Sequence, residues 1–125
     1  MQFLLDTNAL IWWLEDPDKL SGQARATIED PINTVICSSV SAVEIAIKLS
    51  TGKLSLEANW EAAAQAAQFA FLSFTHAHAR HFRTLPVLHK DPFDRMLVAQ
   101  ALELRATLVT ADKRLADYGV QVVLT

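Results

Sequence analysis

The stretch HKDPFDRMLVAQALELRATLVTAD, residues 89–112, contains a helix start, a buried helix, a short strand and an acid directly beyond that strand. Asp91 stands where a helix N-cap is wanted, and Pro92 takes the first helical position, where its missing N–H is no loss. Asp94 then falls in the first turn, and the helix's positive end is expected to hold it ionised at neutral pH. The run Met96-Leu97-Val98-Ala99, continued by Ala101 and Leu102, is apolar nearly all round, which predicts a helix buried on most sides. Arg105-Ala106 makes the turn, Thr107-Leu108-Val109 reads as a buried strand, and Asp112 follows it. In open α/β sheets, ligands bind beyond the carboxyl ends of the strands.

The chain's opening repeats that arrangement. Gln2-Phe3-Leu4-Leu5 is a short buried strand ending in Asp6, and Thr7 or Asn8 starts a helix through Leu14 that stops before Pro17. Ser21 caps a second helix to about Glu29, and Thr34 to Cys37 forms another strand. In the next helix, apolar residues 40, 43, 47 and 42, 45, 49 give a wide stripe, with Ser41, Glu44 and Lys48 on the other face. Thr51-Gly52-Lys53 stops it. Asn59 caps an alanine-rich helix to about Gln68; a weak strand at 70–73, a helix from Thr75 to about Phe82, a brief helix at 113–117 and a strand at 120–124 complete the chain. Strands alternating with helices predict a parallel sheet of four to five strands with helices on both faces, hence a three-layer α/β/α fold.

At 125 residues, 51% of them hydrophobic, the chain is expected to form a single domain, 1–125. Cys37 is the only cysteine, which excludes an intrachain disulfide and suits a reducing compartment. No apolar run approaches the ~20 residues of a membrane span, and the N-terminus lacks signal-peptide flanks. A cytoplasmic protein without membrane attachment is expected. A net charge of −3 argues against a broad nucleic-acid binder but permits a local basic rim, for which Lys48, Lys90, Arg95, Lys113 and Arg114 are candidates.

Four acids carry the expected chemistry: Asp6, Glu44, Asp94 and Asp112. Carboxylates gathered within a few ångströms repel, and protons or a cation relieve the repulsion. Hard oxygen donors favour Mg²⁺ or Mn²⁺, and an ion so held suits in-line attack on a phosphodiester. Each residue also has a plainer reading. Glu44 and Lys48 form an i,i+4 pair worth ~0.3–0.5 kcal/mol on an exposed face, while Asp6 and Asp112 suit strand-end caps. The four histidines, His76, His78, His81 and His89, have no i,i+4 pair of the kind a helical zinc site uses.

At these residues the chain resembles the PIN-domain family, specifically the VapC-type toxins of type II toxin–antitoxin modules. The segments are LLDTNALIWWL at 4–14, SAVEIAIK at 41–48 followed by GKL at 52–54, and HKDPFDRMLVAQA with TLVTADKRLADYG across 89–119. The resemblance implies a Mg²⁺-dependent endoribonuclease in which Asp6, Glu44, Asp94 and Asp112 form the acidic, metal-binding site. Asn8 stands where many relatives carry His, at a position of phosphate or water contact. Thr110, by analogy, orients Asp112 or a metal-bound water, and Asp91 supports as a cap. The implied partners are RNA, a VapB-type antitoxin packing on the surface of Ile11, Trp12 and Trp13, and a second copy in a homodimer, with DNA contacted only through the antitoxin. The alternative is a PIN-like or receiver-like module that binds a cation or takes a phosphoryl group without cutting nucleic acid; a receiver would want an acid after a central strand, where the third strand candidate here ends in Ser73-Phe74.

Overall fold

The computed structural model describes residues 1–57 and 59–125. Five strands, β1 (Gln2–Leu5), β2 (Thr34–Ser38), β3 (Ala70–Leu72), β4 (Thr107–Thr110) and β5 (Val122–Leu124), pair in parallel in the order β3-β2-β1-β4-β5. Six α-helices are described: α1 (Thr7–Glu15), α2 (Gly22–Glu29), α3 (Ser39–Ser50), α4 (Trp60–Ala66), α5 (His76–Thr84) and α6 (Pro92–Leu104). The expected three-layer arrangement is the one formed.

Alternation along the strands divides the core in two. Phe3, Leu5, Val35, Cys37 and Val109 face a layer holding Leu10, Ala24, Ile45 and Trp60, while Leu4, Ile36 and Leu108 face Leu97, Val98, Ala101 and Leu115. A sheet buried on both faces needs continuous apolar strands, which is how β1, β2 and β4 read. The strand order reverses between β1 and β4, so their carboxyl ends flank the crevice where open sheets take ligands. Asp6 and Asp112 follow those two ends.

Helix α1 does start at Thr7, as expected, and its cap is Asp6, whose side chain accepts the Ala9 amide. Several local expectations are corrected. The apolar stripe expected on α3 is turned: Val43 and Ile47 are about half exposed, whereas Ser41 is fully buried because the Thr7 hydroxyl donates to it across the start of α1. Asn59 precedes α4 without a capping side-chain bond, and that helix ends at Ala66, with Gln68 left-handed at φ 64°. Lys113–Tyr118 winds as a 3-10 helix. Ile11 belongs to the core, and Trp12 and Trp13 are half-buried, Trp13 lying 4.7 Å from the Phe69 ring; together they are not an open aromatic surface.

Candidate active site

The site is assembled from the ends of β1 and β4, the first turn of α6 and the middle of α3. Asp6 is nearly buried, 6% exposed, and held from two sides: its amide donates to Val109 O at 2.9 Å and its Oδ1 accepts the Ala9 amide at 2.8 Å. Burial pushes its pKa up, and the charges of Glu44 and Asp112 push the same way. The Thr110 hydroxyl and the Ala9 amide oppose that shift. Thr110, buried at the end of β4, also accepts the Asp112 amide at 3.1 Å, so one side chain touches the positions of both strand-end acids.

Asp112 is engaged on both oxygens. Its Oδ1 accepts the Arg114 amide at 3.0 Å and Arg114 Nε at 2.9 Å, and its Oδ2 accepts Arg114 Nη2 at 2.8 Å. His89 Nε2 lies 2.8 Å from the same Oδ2. The Arg114 guanidinium, with His89 assisting against partial burial, holds the Asp112 carboxyl well below the usual carboxylate range. His89 Nδ1 accepts the Asp91 amide at 3.3 Å, and Arg114 Nη2 lies 3.2 Å from His89 Nε2, so the ring is held from both ends beside Asp112.

Asp91 and Asp94 have separate environments. Asp91 Oδ1 caps α6, accepting the amides of Phe93 at 2.8 Å and Asp94 at 3.2 Å. Asp94 carries no such duty, and desolvation, then the charges of Asp91, Asp6 and Glu44, push its carboxyl up to about 7; His89 opposes them. In the metal-free protein Asp94 is therefore only partly ionised at neutral pH, since burial among like charges outweighs the helix end. Glu44 pairs with Lys48 at 3.4 Å on a largely covered face, and its charge is felt at both Asp6 and Asp94. Asn8 is exposed in the first turn of α1.

One ligand atom from each of His89, Asp94 and Asp112 lies within 4.8 Å of the others, a group able to hold a metal ion. The donor set fits a hard cation, because carboxylates predominate and Asp94 is destabilised in its charged form by neighbours that a cation would neutralise. Reading the histidines by helical spacing misses His89, which lies in the loop before α6; the local signal was its place two residues ahead of the Asp91 cap.

Parallel strands with helices on both faces, and acids gathered at the crevice where the strand order reverses, define an open-sheet α/β protein whose ligand crevice is acidic. The chain belongs to the PIN-domain family, whose model matches residues 3–121. Among its relatives is Ribonuclease VapC22 of Mycobacterium tuberculosis (strain ATCC 25618 / H37Rv), 28% identical over 131 residues and covering 92% of this chain and 90% of that protein. The same fold is found in VapBC from Salmonella typhimurium bound to DNA, with a TM-score of 0.72 at 17% identity over 99% of this chain and 98% of that one. VapBC2 from Rickettsia felis, bound to a DNA fragment from its promoter, gives 0.71 at 17% identity over the same shares of the two chains.

Proposed function

We propose that this chain is the ribonuclease toxin of a type II toxin–antitoxin module, a Mg²⁺-dependent endoribonuclease that hydrolyses RNA phosphodiester bonds and accepts Mn²⁺ as a substitute. The observation that carries the reading is the convergence of Asp6, Glu44, Asp94 and Asp112, from four separate elements, on one crevice, with the Asp94 carboxyl pushed up to about 7 by burial and then by the charges of Asp91, Asp6 and Glu44. In this reading Asp6, Asp94 and Asp112, with Glu44, hold the ion; bound there, a divalent cation lowers the pKa of a water and offsets charge on a phosphate. The chain's own residues do the positioning. Thr110 and the Ala9 amide fix Asp6, His89 orients Asp112, and Arg114, 71% exposed in its side chain, can turn from Asp112 to a substrate phosphate. In this reading Asn8, exposed two residues after Asp6, contacts a water or a phosphate.

Support for the partner comes from the relatives, one named a ribonuclease and others solved as VapBC complexes. A cleft of about 880 Å³ between the end of α1 and α4, with Leu14, Leu56 and Trp60 on its walls beside Glu15, Asp16 and Glu57, suits an apolar antitoxin segment carrying basic residues. No helix among the described residues is long and apolar enough to cross a membrane. A cytoplasmic homodimer, touching DNA only through the antitoxin, completes the proposal. The receiver-like alternative finds less support, because β3 is an edge strand and Ser73-Phe74 follows it.

The test is purified protein on mixed cellular RNA. Cleavage is expected with Mg²⁺ or Mn²⁺, is abolished by EDTA, and is lost in Asp6→Asn, which keeps the shape and the cap acceptor while removing charge. Cleavage that survives exhaustive chelation, or full activity of Asp6→Asn, overturns the mechanism.

A further inference from the structure

Beside the acids, on the side of α3 and the start of α6, lies an open groove of about 430 Å³, within the ~300–1,000 Å³ range of small-ligand sites. Its walls include Ile47, Lys48, Lys53, Lys90 and Phe93, and Glu44 stands where the groove meets the acidic crevice. The geometry points to a subsite for one nucleotide of a single-stranded RNA, next to the phosphate that is cut, with its phosphates on Lys53 and Lys90 and its base against Ile47 and Phe93. The inference rests on the nuclease reading above and names how that same site takes its substrate.

The charge distribution favours an anion despite the acids nearby. Glu44 is paired with Lys48 at 3.4 Å, and Asp91 spends its Oδ1 on the amides of Phe93 and Asp94. Among the described residues, Lys53 and Lys90 are exposed and in no ion pair. Lys53 is also placed by the backbone. Gly52, at φ +74°, turns the chain back so that the Lys53 amide donates to Lys48 O at 2.9 Å and the Gly52 amide to Leu49 O at 3.3 Å. That closure folds Lys53 back on the end of α3, where it lines the same groove as Lys48 and Lys90. The apolar wall is made by Ile47, which α3 leaves 47% exposed, and by Phe93, half-buried at the other side. Cations tracking a backbone beside a π-face or apolar platform are how single strands are held without sequence preference. A paired helix would keep its bases stacked inside and could not offer one to this wall.

The test uses the whole chain in EDTA, where binding is read apart from cleavage, with a fluorescently labelled single-stranded RNA hexanucleotide followed by anisotropy. Lys53→Ala and Lys90→Ala are each expected to lower the slope of log affinity against log salt by about 0.7, and the double variant to weaken binding roughly tenfold or more at about 0.1 M salt. Phe93→Leu keeps the packing, leaves the slope unchanged and is expected to weaken binding by about fivefold or more. Far-ultraviolet circular dichroism and melting confirm that each variant is folded. Affinity and slope at the parent's values in the double variant overturn the subsite. Amide exchange over residues 47–53 that slows with the antitoxin but not with RNA overturns it as well, assigning the groove to protein. The two readings fail separately: RNA held in the groove but never cut with Mg²⁺ rejects the nuclease, whereas RNA cut equally by parent and double variant rejects the subsite alone.

Discussion

Asp91 and Asp94, three residues apart on the same turn, differ in what their oxygens touch, and that difference separates a fold-holding acid from a chemical one. Asp91 accepts two amides at the start of α6. Asp91→Ala is therefore expected to cost ~0.5–2 kcal/mol, and Asp91→Ser to keep both stability and cleavage. Asp94 has its pKa raised to about 7 from an unfolded value of 3.8, so the folded state binds a proton that the unfolded state has already released across that interval. Stability from this group is present below the unfolded value and is lost as pH rises through about 7. Asp94→Asn in metal-free protein should then raise the melting temperature more at about pH 8 than at about pH 5, while abolishing cleavage. A variant that melts like the parent at both pH values removes the case for repulsion at the site. The separation of these two acids was legible in sequence, because capping is local. His89 was not, since its bond to Asp112 spans 23 residues and follows only once α6 and β4 are docked.

At the scale of elements, α6 shows how a helix that reads as uniformly apolar is aligned by its one polar core residue. Gln100 is fully buried; its Oε1 accepts the Ser38 hydroxyl, and its Nε2 lies 3.4 Å from Ser73 O and 3.3 Å from His78 Nδ1. This ties α6 to the ends of β2 and β3 and to α5, and so sets the rotation that presents Asp94 to the crevice. Gln100→Leu keeps much of the volume but removes the acceptor of the Ser38 hydroxyl proton and the donor near Ser73 O, while Ser38 keeps the Val40 amide and His78 the Thr75 amide. A loss of roughly 1–3 kcal/mol in urea unfolding is expected, with weaker cleavage even where the fold is retained. Equal stability of Gln100→Leu and the parent shows that the network is replaceable by packing. The middle of α6 and the strands β1, β2 and β4 were readable because their continuous burial leaves little ambiguity. The face of α3 was not, because Ser41 is drawn inward by Thr7, a partner 34 residues away, and two apolar residues turn outward in exchange.

For the whole molecule, the order β3-β2-β1-β4-β5 brings residues 6, 44, 94 and 112 to one crevice, so the cost of gathering the acids is carried by the entire fold rather than by any single element. Asp6 and Asp94 both have raised pKa values, from desolvation first and mutual repulsion second, whereas Asp112 is already compensated by Arg114. A cation that binds only when β1, α3, α6 and β4 are assembled must stabilise the native state by mass action, by ~2.7 kcal/mol at a hundred times its dissociation constant. Mg²⁺ or Mn²⁺ is thus expected to raise the melting temperature in a concentration-dependent way, with Ca²⁺ as a control for binding without cleavage. Asp6→Asn and Asp94→Asn should each remove most of that shift, although the variants begin from a metal-free melting temperature at or above the parent's because they relieve repulsion. Arg114→Ala should act in the opposite direction on metal affinity: it removes the guanidinium from both Asp112 oxygens, leaving only the residue-114 amide and His89 on them, so the midpoint of the shift moves to lower metal concentration. A melting temperature indifferent to metal at concentrations that support cleavage would show that the acids are not where the ion binds.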